Sequence, residues 1–156
     1  MMMAPNLQNF LAEQQIAYDV IGHPRTGSSM ETAATAHVPG DCVAKAVLLE
    51  DDRGYLLAVL PSTHHVEVEE LGRQLHRSLR LATEPELKTL FGDCELGAVP
   101  PVGEAYGLAA VVEEDLEAQP EVYFEAGDHR HLIRLTQAEF MRLMSSAMKA
   151  HFSRHL

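Results

Sequence analysis

The chain has 156 residues, nearly half of them apolar, and a formal net charge of −11. That length suffices for one domain over residues 1–156 with a real core, and the ordinary charged fraction excludes a disordered or low-complexity protein. The acidic balance excludes a protein that coats nucleic acid non-specifically, because phosphate binding draws on Lys and Arg.

No apolar run approaches the roughly 20 residues needed to span a bilayer, so no membrane partner is expected. The opening "MMMAPNLQNF" has neither the basic nor the apolar region of a secretory leader. Cys42 and Cys94 lie far apart without metal-ligand spacing and read as reduced thiols in a cytoplasmic protein. Locally, Arg73, Arg77, Arg80 and Lys88 cluster, as a solvated face or a cationic patch.

Leu7, Phe10, Leu11 and Ile16 roughly follow helical spacing and predict a first helix over 5–15. "AYDVIGH" reads as a short strand. A Ser or Thr with Glu three residues later marks three helix starts: Ser28 with Glu31, Thr83 with Glu86, and Thr136 with Glu139. The last of these heads "FMRLMSSAMKAHF", where Met141, Met144 and Met148 fall at helical spacing and read as core filler.

"CVAKAVLLEDDRGYLLAVLP" is a hairpin turning at Asp51 to Gly54. The pair His64 and His65 then caps a loop or helix start, and "VEVEELGRQLH" is helical. Strands come next at "LRLA", "YGLAAVV", "EVYFEA" and "HLIRL", while "KAHFSRHL" is a helix end or a mobile tail. The order lacks the βαβ rhythm of a doubly wound sheet, so an α+β domain with a mixed sheet and surrounding helices is expected. No nucleophile elbow of the G-x-S-x-G kind occurs, and neither cysteine has a catalytic setting.

Three features carry candidate chemistry. Lys45 interrupts an apolar strand, and an unpaired buried ammonium costs several kcal/mol. Either its stem lies along the sheet with the head at the rim, or it presents a cation at the floor of a pocket. "CELGAVPPVGEAYG" combines permissive Gly97, Gly103 and Gly107 with stiffening Pro100 and Pro101, a loop able to hold its amides and carbonyls toward a ligand. Such turns are also common connectors. In "FEAGDHRHLIRL", His129 and His131 would face one side if extended, but no cysteine or carboxylate stands nearby at metal spacing, and no metal is assigned.

Together these segments resemble the YbaK/EbsC family of aminoacyl-tRNA deacylases, related to the editing insertion of bacterial prolyl-tRNA synthetase. The similarity runs from "HPRTGSSMETAA" through "VAKAVLL" and "LAVLP" to "GAVPPVG" and "AGDHRHLIRL". Lys45 matches the family's functional lysine. Gly97 and Pro101 match its G-x-x-x-P loop, and His129 falls where some members carry a histidine. Ala46 departs from members with a polar residue after the lysine.

The resemblance implies a barrel-like mixed β-sheet surrounded by helices and a trans-editing hydrolase for mischarged tRNA. Its substrate would carry a small amino acid of the Ala, Ser, Cys or Thr class. Lys45, Gly97, Pro101 and His129 would form the catalytic set, and Ala98, Val99, Pro100 and Gly103 would contact substrate, with an oriented water and no cofactor. The partner would be the acceptor end of the aminoacyl-tRNA, aided by an aminoacyl-tRNA synthetase. Two alternatives stand beside it: a non-catalytic module binding an amino acid or nucleotide in the same pocket, and a metal-dependent hydrolase using His129 and His131.

Overall fold

The computed structural model describes residues 3–156. Met1 and Met2, part of the stretch read for a leader, lie outside the described residues. The chain runs through α1 (Pro5–Glu13), β1 (Asp19–Gly22), α2 (Ser29–Ala36), β2 (Val43–Asp51) and β3 (Gly54–Pro61). It continues with β4 (His64–Val66), α3 (Val68–Leu75), β5 (Arg80–Leu81), α4 (Glu84–Leu90) and β6 (Ala109–Glu113). The last elements are β7 (Glu121–Glu125), β8 (His131–Thr136), α5 (Gln137–Leu143), β9 (Met148–Ala150) and β10 (Ser153–His155). No described helix is long and apolar enough to cross a membrane.

Local chemistry sets the helix starts. Pro5 occupies the first turn of α1, where its missing N–H costs nothing, and Leu7 and Leu11 bury the inner face. Thr83 and Glu86 form a complete reciprocal cap on α4. Ser28 accepts from the Glu31 amide at 3.2 Å and Thr136 from the Glu139 amide at 3.3 Å. In α2 the return bond shifts by one residue, since the Glu31 carboxylate takes the Gly27 amide at 3.3 Å.

The fold is α+β, as expected. Its main sheet is mixed, in the order β1-β8-β7-β2-β3-β6-β9, with β5 added to β2. The β2–β3 hairpin forms its centre, pairing Asp51 with Gly54 and Lys45 with Leu60. One edge of β2 is shared by two short neighbours: β7 pairs in parallel with Val43 and Ala44, and β5 pairs with Leu49 and Glu50. Between them, from Lys45 to Val47, this edge has no partner strand among the described residues, while the Leu48 carbonyl takes the Ala82 amide at 3.0 Å. The gap is where a ligand can approach the strand. Around it, Phe124, Ile133, Leu135, Phe140 and Leu11 pack into one apolar cluster, while Leu56, Leu60, Leu71 and Phe152 pack into another.

The C-terminal reading is corrected. The helix opened by Thr136 stops at Leu143, and the chain beyond it forms two strands. β9 adds in parallel to β6, and β10 pairs with β4, so His64 and His65 belong to a strand rather than a cap. Buried Glu113 supplies the reason, since one carboxylate oxygen accepts the Phe152 amide (3.0 Å), the Ser153 amide (2.8 Å) and the Ser153 hydroxyl (2.6 Å). An extended chain can offer those donors together, whereas a helix spends its amides on itself, so tertiary demand overrides the helical spacing of the methionines. Only Met144 of the three is buried, and Met148 is exposed on β9.

The cationic cluster is also used internally. Arg77 grips Asp51 with two bonds, at 2.7 and 2.8 Å, tying α3's exit to the hairpin turn. Arg73 pairs with Glu70 and Arg80 with Glu50.

Candidate functional site

A cavity of about 280 Å³ opens beside the unpaired stretch of β2. Lys45 and Ala46 form its floor with Ser62; Gly27 to Met30 form one wall; Gly97, Val99 and Leu87 form the other. Lys45 is half-buried, and its ammonium donates only a long bond of 3.4 Å to the Ser62 carbonyl. Burial lowers its pKa below the usual lysine value. Among the described residues no carboxylate stands within 4.0 Å of it, so the charge is desolvated without a counterion there. Such an ammonium gains from an incoming anion or oxygen-rich group.

The wider charge pattern sharpens this point. Among the described residues, every Lys and Arg except Lys45, Lys88 and Arg130 pairs with a carboxylate within 4.0 Å. Lys45 lines the cavity, Lys88 comes directly after its lining residue Leu87, and Arg130 directly after the histidine behind Gly97. The uncommitted positive charge of an acidic molecule thus falls on segments that build this one site.

The second wall is a built turn. Glu95 receives two bonds from Arg25, at 2.6 and 3.1 Å, its amide donates to the Gly127 carbonyl at 2.8 Å, and its carbonyl takes the Ala98 amide at 3.1 Å. Gly97 sits at the apex with φ +83°, and a Cβ there would meet the Gly27 carbonyl and His129 Cε1, each at 3.0 Å. Only glycine fits both the backbone angle and the contact. The amides of Gly97 and Val99 donate to no other group among the described residues. They are the kind of preorganised donors that stabilise a developing oxyanion.

Of the residues singled out in the sequence, Lys45, Gly97 and Val99 line the cavity together. Ala98, Pro100 and Pro101 are buried behind the turn and shape it by packing. Gly103 lies elsewhere, on a separate cavity with Val102, Leu108 and Met144. His129 is buried at φ +59°, its ring against Gly97 and its Nε2 donating to the Leu96 carbonyl, so it supports the turn from behind. His131 Nδ1 stands 2.5 Å from Asp128, so each of the two rings already has a protein partner. The single described group with three possible ligand atoms within 4.8 Å of one another, His64, Glu113 and Asp115, lies outside the cavity lining.

Sequence reading gave no role to Gly27, Ser28, Ser29, Met30, Ser62 or Leu87. The Ser28 cap signal was visible, but it announced a helix and not that the preceding turn would close a pocket. Cys94 is not a waiting nucleophile, because burial pushes its thiol up to about 12.

Comparison with known proteins gives the family and the fold. The model of the aminoacyl-tRNA editing domain family matches residues 23–143. A crystal structure described as a candidate trans-editing enzyme for prolyl-tRNA synthetase superposes at TM-score 0.84, with 27% identity over 97% of this chain and 96% of that one. A structure from computational epitope grafting onto scaffold proteins shares the fold at TM-score 0.83 and 24% identity, covering 98% and 97% of the two chains. The fold also recurs, at TM-score 0.75 and 21% identity, over 95% of this chain and 30% of a larger chain from Marinobacter aquaeolei VT8. No curated protein matches the sequence. With the family match spanning well over half of its length, this chain belongs to the aminoacyl-tRNA editing domain family.

Proposed function

We propose that this protein is a trans-editing hydrolase that removes a small amino acid from the 3′ end of a mischarged tRNA. The observation that carries the reading is Lys45: a half-buried cation with no carboxylate partner, on the floor of a cavity closed by Gly97. Its ammonium would hold phosphate or ribose oxygens of the terminal nucleotide, keeping the ester over the Gly97 turn.

No protein nucleophile is needed, because an aminoacyl ester is already activated. A positioned water adds to the ester carbonyl carbon. The carbonyl electrons move to oxygen, where the Gly97 and Val99 amides can receive the charge. Collapse expels the ribose oxygen, which takes a proton, leaving a free tRNA end and an amino acid. The protein's share is orientation and electrostatics.

Selection would depend on size. A pocket walled by Met30, Leu87 and Val99 accepts small side chains and crowds large ones, and one methylene is worth about 1–3 kcal/mol in such a site. In this reading residues 1–156 act as one domain in the cytoplasm, and a synthetase can serve as partner. The solved relative described as a trans-editing enzyme for prolyl-tRNA synthetase supports that last step.

The test is deacylation of tRNAs charged with Ala, Ser, Cys, Thr and Pro, comparing wild type with Lys45→Ala. Release of one small amino acid, lost in the variant, is expected. Binding without release from any of them would replace the hydrolase by an amino-acid or nucleotide binding module.

A further inference from the structure

Behind the cavity, three buried polar atoms have no hydrogen-bond partner: His23 Nε2, Glu125 Oε2 and His129 Nδ1. The side chains of His23 and Glu125 are 1% and 2% exposed, and the two unpartnered atoms face each other at 3.6 Å. His23 Nδ1 lies 2.7 Å from the Pro24 carbonyl. A carbonyl only accepts, so Nδ1 carries the hydrogen and Nε2 of a neutral ring is a bare lone pair. A carboxylate oxygen is also a lone pair. Two such atoms facing each other away from water repel, and each loses its solvation without return.

We propose that Glu125 and His23 share one buried proton, and that this pair, with His129, is the positioning unit holding both walls of the cavity. A proton on either atom removes the repulsion, lets the two atoms close from 3.6 Å to hydrogen-bond distance and leaves the pair net neutral. Burial raises the Glu125 pKa, the direction that keeps a proton in the pair.

The connection to the first wall runs through hydrogen bonds, and that to the second through the neighbouring His129, whose charge Glu125 senses. The other oxygen of Glu125 accepts the Thr32 hydroxyl at 2.5 Å, and Thr32 in turn accepts the Thr26 hydroxyl. Thr26 precedes Gly27, and Thr32 lies in α2, whose first residues Ser29 and Met30 line the cavity. On the other side, His129 donates to the Leu96 carbonyl and abuts Gly97. The charged surroundings of Glu125 are His23 from the end of β1, with His129 and Asp128 from the β7–β8 turn. Asp128 is occupied by the His131 ring and the amides of Arg130 and His131; the Arg25–Glu95 pair lies beyond it. Loss of the shared proton would leave a net negative charge between the walls and loosen both.

The kinetic part of this inference rests on the hydrolase reading; the structural part does not. Glu125→Gln keeps the acceptor for Thr32 and offers His23 an amide hydrogen, imitating the protonated pair without titrating. Glu125→Ala removes both contacts. In wild type, imidazole ¹⁵N spectra are expected to show His23 Nε2 held in a hydrogen bond until the shared proton is lost in one step as pH rises, a step absent in Glu125→Gln.

Exchange, relative to the intrinsic rate, of the hydrogen-bonded amides of Glu31 and Thr32 on one wall and of Glu95 and Ala98 on the other should quicken together through that step, and in Glu125→Ala at every pH, by about tenfold. Glu125→Gln should restore slow exchange. In deacylation, Glu125→Ala should lower kcat more than it raises KM, and the amide variant should recover most of the loss while flattening the alkaline limb. A bare His23 Nε2 across the whole range, or exchange in only one of the two walls, would overturn the proposal. Correct spectra and exchange with no deacylation would instead sink the hydrolase reading and leave the shared proton standing.

Discussion

Gly97 lies so close to His129 that a Cβ would stand 3.0 Å from the imidazole Cε1. The same added atom would stand 3.0 Å from the Gly27 carbonyl on the opposite wall. Turn, supporting histidine and first wall therefore meet at one missing side chain.

Gly97→Ala tests that meeting point. The left-handed backbone costs an alanine about 1–2 kcal/mol, before any displacement of Gly27. The expected result is a modest fall in Tm and a fall in deacylation kcat/KM of about tenfold or more. A thermal melt and a kinetic assay check both. Unaltered kinetics with an unaltered melt would mean that the turn gives way freely.

Lys45→Met separates charge from packing. The thioether keeps most of the stem and removes a desolvated ammonium, so thermal stability should hold or rise while affinity for the charged tRNA end falls. A drop in stability without a drop in affinity would assign Lys45 to the fold instead.

Lys88 and Arg130 are expected to act through phosphate. Each Ala variant should weaken tRNA binding without changing amino-acid preference. Each should also reduce the slope of log affinity against log salt by about 0.7, the value of one single-strand phosphate contact. Titration at several salt concentrations measures it, and an unchanged slope would remove that residue from the path of the strand.

The strand around β10 supplies a pH prediction. Burial pushes the Glu113 carboxyl upward, but bonds from Ser153, His151 and Phe152 together outweigh it and leave its pKa lowered. The bond to Glu113 raises the pKa of His151, whose side chain is 65% exposed, so its share is small. A lowered carboxyl stabilises above its ordinary value of 4.5, and that stability is lost as pH falls through the folded value. A raised histidine stabilises fully below 6.5 and loses the effect as pH rises through its folded value. Protection of the Phe152 and Ser153 amides, taken relative to their intrinsic exchange rates, should therefore peak between these limits and decline chiefly on the acid side. In Glu113→Gln the acid decline should flatten; an acid limb identical to wild type would mean that other carboxylates govern it.

How much of this was legible in sequence depended on the range of the controlling contact. Lys45 stood out because it breaks a local rule, a cation in an apolar strand, whereas Gly97 was set apart from Gly103 and Gly107 only by the resemblance of its loop to the family's G-x-x-x-P pattern. The hairpin and the capped helices were equally local. β9 and β10 were not, because their residues read as helix until the open edge of β6 and the buried Glu113 claim them. His129 was found as a residue but not as a support, since its direction depends on the Leu96 carbonyl of a remote turn. Gly103 resembled Gly97 in composition, and only the path of the loop sent it to another cavity.

The lining of the cavity also determines how this pocket could be retuned over time. Leu87 and Val99 are shared with the core around Phe91 and Leu57, so altering either repacks the interior. Gly97 is locked by its backbone angle and by the Gly27 carbonyl. Met30 stands apart: 47% exposed on the first turn of α2, it can shrink or grow with little structural penalty. A lineage needing to reject a different amino acid has an inexpensive position at which to begin.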